Sequence, residues 1–238
     1  MSIFYSYISN DPALAVVVSD MRIAESRVKK GKVLCTYTKD NSFRKMHAYR
    51  GSICGVFGSR SLDHWLNQVP EKALFPECVA RYFEGIDARF EDFSMDLPFP
   101  ANYFFTGFNP HSLEYECYSI EISPEELIKR RIHSRSPYGK LLIPTTRGSK
   151  LLEKKFYNAV KEDVIIKTVK DAQKDPQRLC SAIISLLGDT IQKIAKSLEG
   201  TRKGLSINGT VDYAYMGAHT GHKIIFKDHE SKQSVKSA

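Results

Sequence analysis

The sequence predicts an α+β fold in which two antiparallel sheets stack face to face and helices cover their outer sides, a four-layer αββα sandwich. Three candidate hairpins, near the start, the middle and the end of the chain, supply enough strands for two sheets. Helical patterns fall into two blocks between these hairpins, and each helix must bury its apolar stripe against another layer. We predict one domain over residues 1–226 and a polar, disordered tail over residues 227–238.

The residue pattern in the first third of the chain predicts mainly strands. The runs "SIFYSYIS" and "LAVVVSD" flank the turn formers of "NDPA" and predict a hairpin. A basic turn, "RVKKGK", then leads into the short strand "KVLCTYT". After a second turn and a strand entering at Phe43, the run "GSICGVFG" at 51–58 reads as a buried strand bounded by glycines.

The middle of the chain combines helices with the second hairpin. Helices are predicted from Ser59 or Ser61 onward and over residues 76–93, whose apolar face carries Val79, Tyr82, Phe83, Ile86 and Phe90. The runs at 101–109 and 112–122, joined by "PH", form the second hairpin. A helix is then expected in "SPEELIKRR", with Ser123 as cap and Pro124 in its first turn, before a loop that extends through Gly148.

The last third begins with two helices. One is predicted from Ser149 to about Lys170, and the other from Asp175 to Glu199, where Asp175 caps and Pro176 starts the helix. The second helix has one broad apolar stripe, formed by Leu179, Ala182, Ile183, Leu186, Leu187, Ile191, Ile194, Ala195 and Leu198. A final strand pair, "GTVDYAYM" and "HKIIF", closes the domain.

The composition is that of an ordinary globular protein of 238 residues, with 42% hydrophobic and 26% charged residues. The net charge of +8 is spread along the chain, so it allows a nucleic-acid partner without pointing to one. Aromatic residues in "YFFTGF" could stack bases, although their setting in a hydrophobic strand favours core packing. Five cysteines without a CxxC pair, and no signal-peptide or membrane-spanning pattern, predict a cytoplasmic protein with reduced thiols and no membrane partner.

Several standard motifs of enzymes are absent from the sequence. "GTRKGLS" does not fit the phosphate-binding GxxxxGK[ST] pattern, and "GLSING" is one residue too long for a GxSxG nucleophile elbow. In "HTGH", His219 and His222 could approach a metal, but a tight turn is the simpler interpretation because no carboxylate or cysteine stands beside them. We therefore expect neither a metal nor a cofactor.

After these motifs are excluded, three features at separate places in the sequence remain as candidates for a functional site. Ser2 begins a strand, and serine is small enough for aminopeptidase removal of Met1, which would leave a hydroxyl nucleophile and a free α-amine on one residue. The first hairpin returns the chain so that Asp20 and Arg22 lie near the start of the first strand. Lys45 precedes a turn and the strand "GSICGVFGS", which leads into a helix.

Together these features resemble the proteasome β-subunit and HslV peptidase family of the N-terminal nucleophile hydrolases. The counterparts are Ser2, "DMR" at 20–22, Lys45 and "CGVFGSRSLD" at 54–63. Weaker counterparts are "NYFFTGFNPHSLEYECYSIE", "TTRGSKLLEKKF" and "GLSINGTVDYAYM", so the similarity spans most of residues 2–226. The interval from Asp20 to Lys45 is longer than usual in the family and requires an extra turn or small hairpin.

The resemblance implies a peptidase with Ser2, Asp20 and Lys45 as its catalytic residues. It further implies that Arg22 fixes Asp20, that the Gly58 amide stabilises the oxyanion and that Ser149 tunes the α-amine. Family members form rings, so self-assembly of this chain is implied by the resemblance as well. The expected partner is a peptide or protein substrate.

Two other functions stay open at this point. A catalytically inactive proteasome-fold protein could act in assembly or partner binding. This alternative is favoured by the bulky Phe57 beside Gly58 and by the poor placement of both Glu199 and Asp212 as the acidic residue expected before the last strand. The other is a basic, nucleic-acid-associated protein of the same fold.

Overall fold

In the computed structural model of the chain, the described residues form two five-stranded antiparallel sheets, a separate two-stranded hairpin and two helices. The structure describes residues 3–21, 24–29, 32–37, 45–49, 51–57, 75, 77, 79–80, 101–122, 127–134, 136–142, 158–172, 174–199 and 209–229. This arrangement confirms an α+β sandwich with two antiparallel sheets.

The first sheet joins strands from both ends of the chain. Its strands are β1 (Phe4–Asn10), β2 (Ala13–Asp20), β10 (Lys140–Leu142), β11 (Val211–Gly217) and β12 (Ile225–His229). They lie in the order β10-β1-β2-β11-β12, so the predicted first and last hairpins meet where β2 pairs with β11. β12 includes residues 227–229, which the sequence assigned to the tail, and residues 230–238 lie outside the described residues.

The second sheet follows chain order, as expected for strands joined to their neighbours. Its strands are β5 (Met46–Tyr49), β6 (Ser52–Phe57), β7 (Ala101–Asn109), β8 (Glu114–Ile122) and β9 (Leu127–His133). Strands β3 (Ala24–Lys29) and β4 (Lys32–Tyr37) pair only with each other among the described strands. Between Asp20 and Lys45 an extra turn or a small hairpin was expected, and these strands form a small hairpin, although residues 27–29 of β3 were expected to lie in a turn.

Aromatic side chains join the two sheets. The Phe4 ring of β1 meets the Phe104 ring of β7 edge to face, with centroids 5.0 Å apart. Phe104 can lie flat against β6 because its neighbour there is Gly55, where a β-carbon would overlap the Phe104 ring. The Ser6 and Thr106 hydroxyls share a hydrogen bond of 3.0 Å in the same layer, so the sheets form one sandwich.

Two helices cover the outer face of the first sheet. They are α1 (Glu162–Asp171) and α2 (Pro176–Leu198). Asp175 caps α2, since its carboxylate accepts hydrogen bonds from the backbone N–H groups of Gln177 and Arg178. Six of the predicted stripe positions of α2 are buried in the same cluster as β1 and β2, namely Leu179, Ile183, Leu187, Ile191, Ile194 and Leu198.

A helical residue also touches the outer face of the second sheet. Phe75 is buried, and its ring lies 2.8 Å from the place a β-carbon would take at Gly107. Its ring also meets the Tyr118 ring edge to face, with centroids 5.6 Å apart. Because Thr106 faces the first sheet, Gly107 and its Phe75 neighbour lie on the opposite side. Most of the predicted helical block over residues 59–93 lies outside the described residues.

The prediction for residues 123–131 was wrong, because Leu127–His133 is strand β9 rather than helix. β9 pairs with β8 through seven residues, and Ile132 packs into the layer between the sheets. The local signals of a cap and a first-turn proline were overridden by pairing with β8, the strand that precedes β9 in the chain.

Two smaller differences concern the segment that follows β9. β10 lies within the region predicted to be a loop, and α1 begins at Glu162 after extended backbone at Lys161. The sequence had predicted one helix from Ser149. Acidic residues in the first turn of α1 suit a helix start at Glu162.

Within the described part of the chain, no helix combines the length and the apolar character that a membrane crossing needs.

Candidate active site

Asp20 connects the start of β1 to Lys45. Its Oδ1 accepts a hydrogen bond of 2.8 Å from the backbone N–H of Ile3, the residue that follows Ser2 in the sequence. Its Oδ2 lies 2.8 Å from the Lys45 Nζ. One carboxylate therefore holds both the beginning of the first strand and the predicted catalytic lysine.

The hairpin register explains why Asp20 reaches Ile3. β1 and β2 pair from Asn10 opposite Ala13 to Phe4 opposite Ser19, and one further step brings Ile3 opposite Asp20. The Asp20 N–H indeed donates to the Ile3 carbonyl at 3.3 Å. Since the two-residue turn fixes this register, a seven-pair ladder sets the position of the carboxylate.

Both charges of this ion pair are buried, because Asp20 is 0% exposed and Lys45 is 6% exposed. A buried carboxylate needs a nearby cation and hydrogen-bond donors, and here the Lys45 ammonium and the Ile3 N–H provide them. Removing one member of such a pair typically destabilises the folded state by about 3–5 kcal/mol. The pair is thus a rigid element at this end of the sandwich.

Two of the six predicted site residues can be placed in the structure. It brings Asp20 and Lys45 together, as the resemblance implied. The other four predicted residues lie outside the described residues, and they are Ser2, Arg22, Gly58 and Ser149. β6 ends at Phe57, the residue directly before Gly58 in the sequence.

A second buried carboxylate, that of Asp212, lies one strand away. Asp212 of β11 is directly opposite Ser19 of β2, and both residues are 0% exposed. Ala214 and Met216 of β11 pack between the sheets, so alternation places Asp212 on that side too. The Ser19 hydroxyl has no hydrogen-bond partner among the described residues. Sequence spacing alone judged Asp212 poorly placed, because its proximity depends on the pairing of β2 with β11.

Glu116 forms a separate buried network, which sequence reasoning missed. Its carboxylate accepts hydrogen bonds from Arg131 at 2.7 and 3.1 Å, from Tyr118 at 2.6 Å and from Asn109 at 2.9 Å. Burial would raise the pKa of the Glu116 carboxyl, but these hydrogen bonds outweigh it and lower the pKa to about 2. Glu116 is therefore ionised at neutral pH and ties β9 to the β7–β8 hairpin.

Cys117 is a poor alternative nucleophile. Burial raises the pKa of its thiol to about 11, despite opposing hydrogen bonds involving Thr106 and Ser6. A nucleophilic cysteine needs its thiolate, which is scarce at neutral pH when the pKa is so high. The thiol instead packs in the layer between the sheets.

The "HTGH" segment forms a tight turn, as the simpler interpretation predicted. A single 3-10 turn spans Ala218–Thr220, and His222 follows with φ of +60°. The His222 Nδ1 hydrogen-bonds the Tyr115 hydroxyl at 2.7 Å, while its ring stacks on Phe108. Among the residues that the structure describes, no three histidine, cysteine or acidic side chains are grouped so as to hold a metal ion.

Comparison with known proteins gives no family assignment, since no family model matches the chain and no curated protein matches its sequence.

Proposed function

We propose that the chain is a proteasome-like N-terminal nucleophile hydrolase that cleaves peptide bonds through Ser2 after removal of Met1. The observation that carries the proposal is the Asp20 carboxylate, which binds both the Ile3 N–H and the Lys45 ammonium at 2.8 Å. Successive α-carbons lie about 3.8 Å apart, so Ser2 is one residue from this contact. The resemblance in sequence and the contact in space point to the same residues.

In this mechanism the Ser2 hydroxyl attacks the carbonyl carbon of the scissile amide. The α-amine accepts the hydroxyl proton, for which its ordinary pKa of about 7.7–8.0 suits it near neutral pH. The tetrahedral intermediate collapses as the C–N bond breaks, and the proton passes to the leaving amine. The resulting acyl-enzyme ester is then hydrolysed by water, which releases the acid and regenerates Ser2.

The surrounding residues stabilise the charges that develop in these steps. Lys45, held by Asp20, keeps positive charge near the hydroxyl and lowers the cost of its deprotonation. The resemblance assigns Arg22 to fixing Asp20, the Gly58 amide to the oxyanion and Ser149 to tuning the α-amine. One oxyanion donor typically contributes about 2.7–4 kcal/mol to the stability of the transition state.

The proposal includes the four-layer αββα arrangement of this hydrolase class. α2 covers the first sheet, and the contacts of Phe75 with Gly107 and Tyr118 support a helical layer on the second.

The proposal also includes a cytoplasmic location, for which the support is the odd number of cysteines without a CxxC pair. Self-assembly into a ring is carried over from the resemblance, and sizing of the purified protein tests it.

The second candidate function is an inactive proteasome-fold protein that acts in assembly or partner binding. The observation that favours it is the burial of the Asp20–Lys45 pair, which anchors the first strand whether or not catalysis follows. Phe57, directly before Gly58 in the sequence, favours it too, because the resemblance leads us to expect a small residue at this position.

A peptidase assay with matched serine variants separates the two candidates. We expect wild-type protein to cleave a panel of fluorogenic peptides, and Ser2→Ala to abolish cleavage while leaving the far-UV circular dichroism unchanged. Ser136→Ala is the control, because Ser136 is an exposed serine remote in sequence from the site. No cleavage by wild type would favour the inactive alternative, and equal cleavage by wild type and Ser2→Ala would refute Ser2 as the nucleophile.

A further inference from the structure

His222 of the first sheet's last turn contacts the second sheet, and the proposed hydrolase does not use it. β11 ends at Gly217, which lies beside the start of β2 and so at the opposite end of that strand from Asp20. After the short turn that follows, the His222 Nδ1 lies 2.7 Å from the Tyr115 hydroxyl of β8. The Phe108 ring of β7 stacks on the imidazole with centroids 3.8 Å apart. We call these two interactions together the His222 contact.

The Tyr115 hydroxyl determines which protonation state of His222 fits this contact. Tyr115 is 0% exposed, and burial raises the pKa of its phenol, so the hydroxyl keeps its proton. A buried hydroxyl needs an acceptor, and the His222 Nδ1 is its only hydrogen-bond partner among the described residues. The imidazole is therefore neutral, with its own proton on Nε2 and the Nδ1 lone pair available to accept.

Protonation of His222 removes this acceptor. An imidazolium carries hydrogen on both ring nitrogens, so the Tyr115 O–H and the Nδ1–H would be two donors facing each other. Burial of the ring also disfavours its charged form and lowers the pKa of His222 below the ordinary 6.5. Because the open turn then binds a proton more readily than the closed one, the contact is complete above about pH 6.5 and weakens as the pH falls below that value.

The charged groups near the contact act in the same direction. On the β7–β8 hairpin, alternation places Glu114 on the outer face of the second sheet, away from His222. Lys223 in the turn and His111 on the hairpin are exposed and can carry only positive charge, which opposes protonation of His222. Among the described residues, no carboxylate forms an ion pair with the His222 ring.

The two sides of the contact differ in how firmly they are held. Tyr115 is buried within β8, and its backbone N–H donates to the Asn10 side chain at 2.8 Å. None of residues 218–224 is buried, and short-range hydrogen bonds close this turn, such as the 2.9 Å bond from the His222 N–H to the Gly217 carbonyl. Loss of the contact would therefore move the turn rather than the hairpin.

We propose that the His222 contact is a pH-sensitive switch, which holds the turn of residues 218–224 on the second sheet at neutral pH and releases it in mild acid. An imidazolium would still be attracted to the face of the Phe108 ring, but this attraction does not restore an acceptor for the Tyr115 hydroxyl. The switch lies at the opposite end of β2 from Asp20, so it acts on a different part of the surface from the proposed catalytic residues.

Hydrogen exchange of the turn amides, followed by NMR on the full-length protein, tests this proposal. After correction for the intrinsic pH dependence of exchange, the His222 N–H should lose protection by about threefold or more between about pH 7.5 and about pH 5. His222→Asn should lose this pH dependence, because asparagine does not titrate and suits the left-handed backbone at φ of +60°. His219→Asn is the matched control and should keep it, since the His219 ring stacks on Tyr215 at the other face of the first sheet.

NMR of the His222 ring nitrogens in the wild-type protein separates the switch from a general effect of acid. We expect the proton of the neutral ring on Nε2, and a pKa below 6.5 that rises in Tyr115→Phe, where the neutral imidazole loses its donor. A proton on Nδ1, protection that does not change with pH, or the same pH dependence in His222→Asn as in wild type would each overturn the proposal. None of these readouts uses peptidase activity, so failure of the hydrolase proposal would leave them unchanged.

Discussion

Replacing Lys45 by methionine tests the buried ion pair, since the substitution keeps a long side chain and removes the ammonium 2.8 Å from the Asp20 carboxylate. With Asp20 at 0% and Lys45 at 6% exposure, we expect Lys45→Met to lower the free energy of unfolding by about 3–5 kcal/mol. For a domain of this size, each kcal/mol shifts the Tm by about 2–4 °C, so the midpoint should fall by about 6–20 °C.

A double-mutant cycle then isolates the ion pair from other effects of the substitutions. Asp20→Asn keeps an oxygen that can accept from the Ile3 N–H, but it removes the negative charge. In Asp20→Asn/Lys45→Met no buried charge of the pair remains, so the double variant should lose less stability than the two single losses added together. Urea unfolding of all four proteins gives the coupling energy. A coupling below about 0.5 kcal/mol would refute the reasoning.

Two further predictions concern stability away from this ion pair. The Glu116 carboxyl has a folded pKa of about 2 against an ordinary 4.5, so its contribution is present above about pH 5 and is lost as pH falls toward 2. Urea midpoints measured across this range should fall less steeply in Arg131→Gln, and parallel curves would contradict the pKa. Gly55→Ala should lose about 1–3 kcal/mol because its β-carbon overlaps the Phe104 ring, whereas Gly209→Ala, with open space around it, should lose much less. Similar losses in the two glycine variants would rule out the steric explanation.

The sequence predicted those parts of the fold that depend on residues close together in the chain, such as turn residues and the spacing of apolar residues within one segment. The alternation and turn residues around "NDPA" predicted the β1–β2 hairpin, and helical spacing predicted the buried stripe of α2. β9 was missed because its evidence is pairing with the preceding strand β8, while the residues just before it carry helix-capping signals. Short strands such as β10 gain their stability from pairing and leave little trace in sequence.

In the candidate site, too, some residues could be predicted from the sequence and others depend on how the strands pair. Asp20 could be predicted because the hairpin returns the chain to the start of β1, and Lys45 was assigned to the same site by the resemblance. Asp212 could not, since its place opposite Ser19 depends on pairing between strands almost 200 residues apart in sequence. The burial of Asp20 and Asp212 likewise arises only when the sheets stack.

The central claim, that Ser2 becomes an N-terminal nucleophile, is tested most directly by mass spectrometry of native protein treated with a covalent inhibitor of N-terminal nucleophiles. We predict an intact mass lower by one methionine residue, plus one inhibitor, with tandem spectra that place the adduct on Ser2. A chain that retains Met1, or an adduct on any other residue, would contradict the claim.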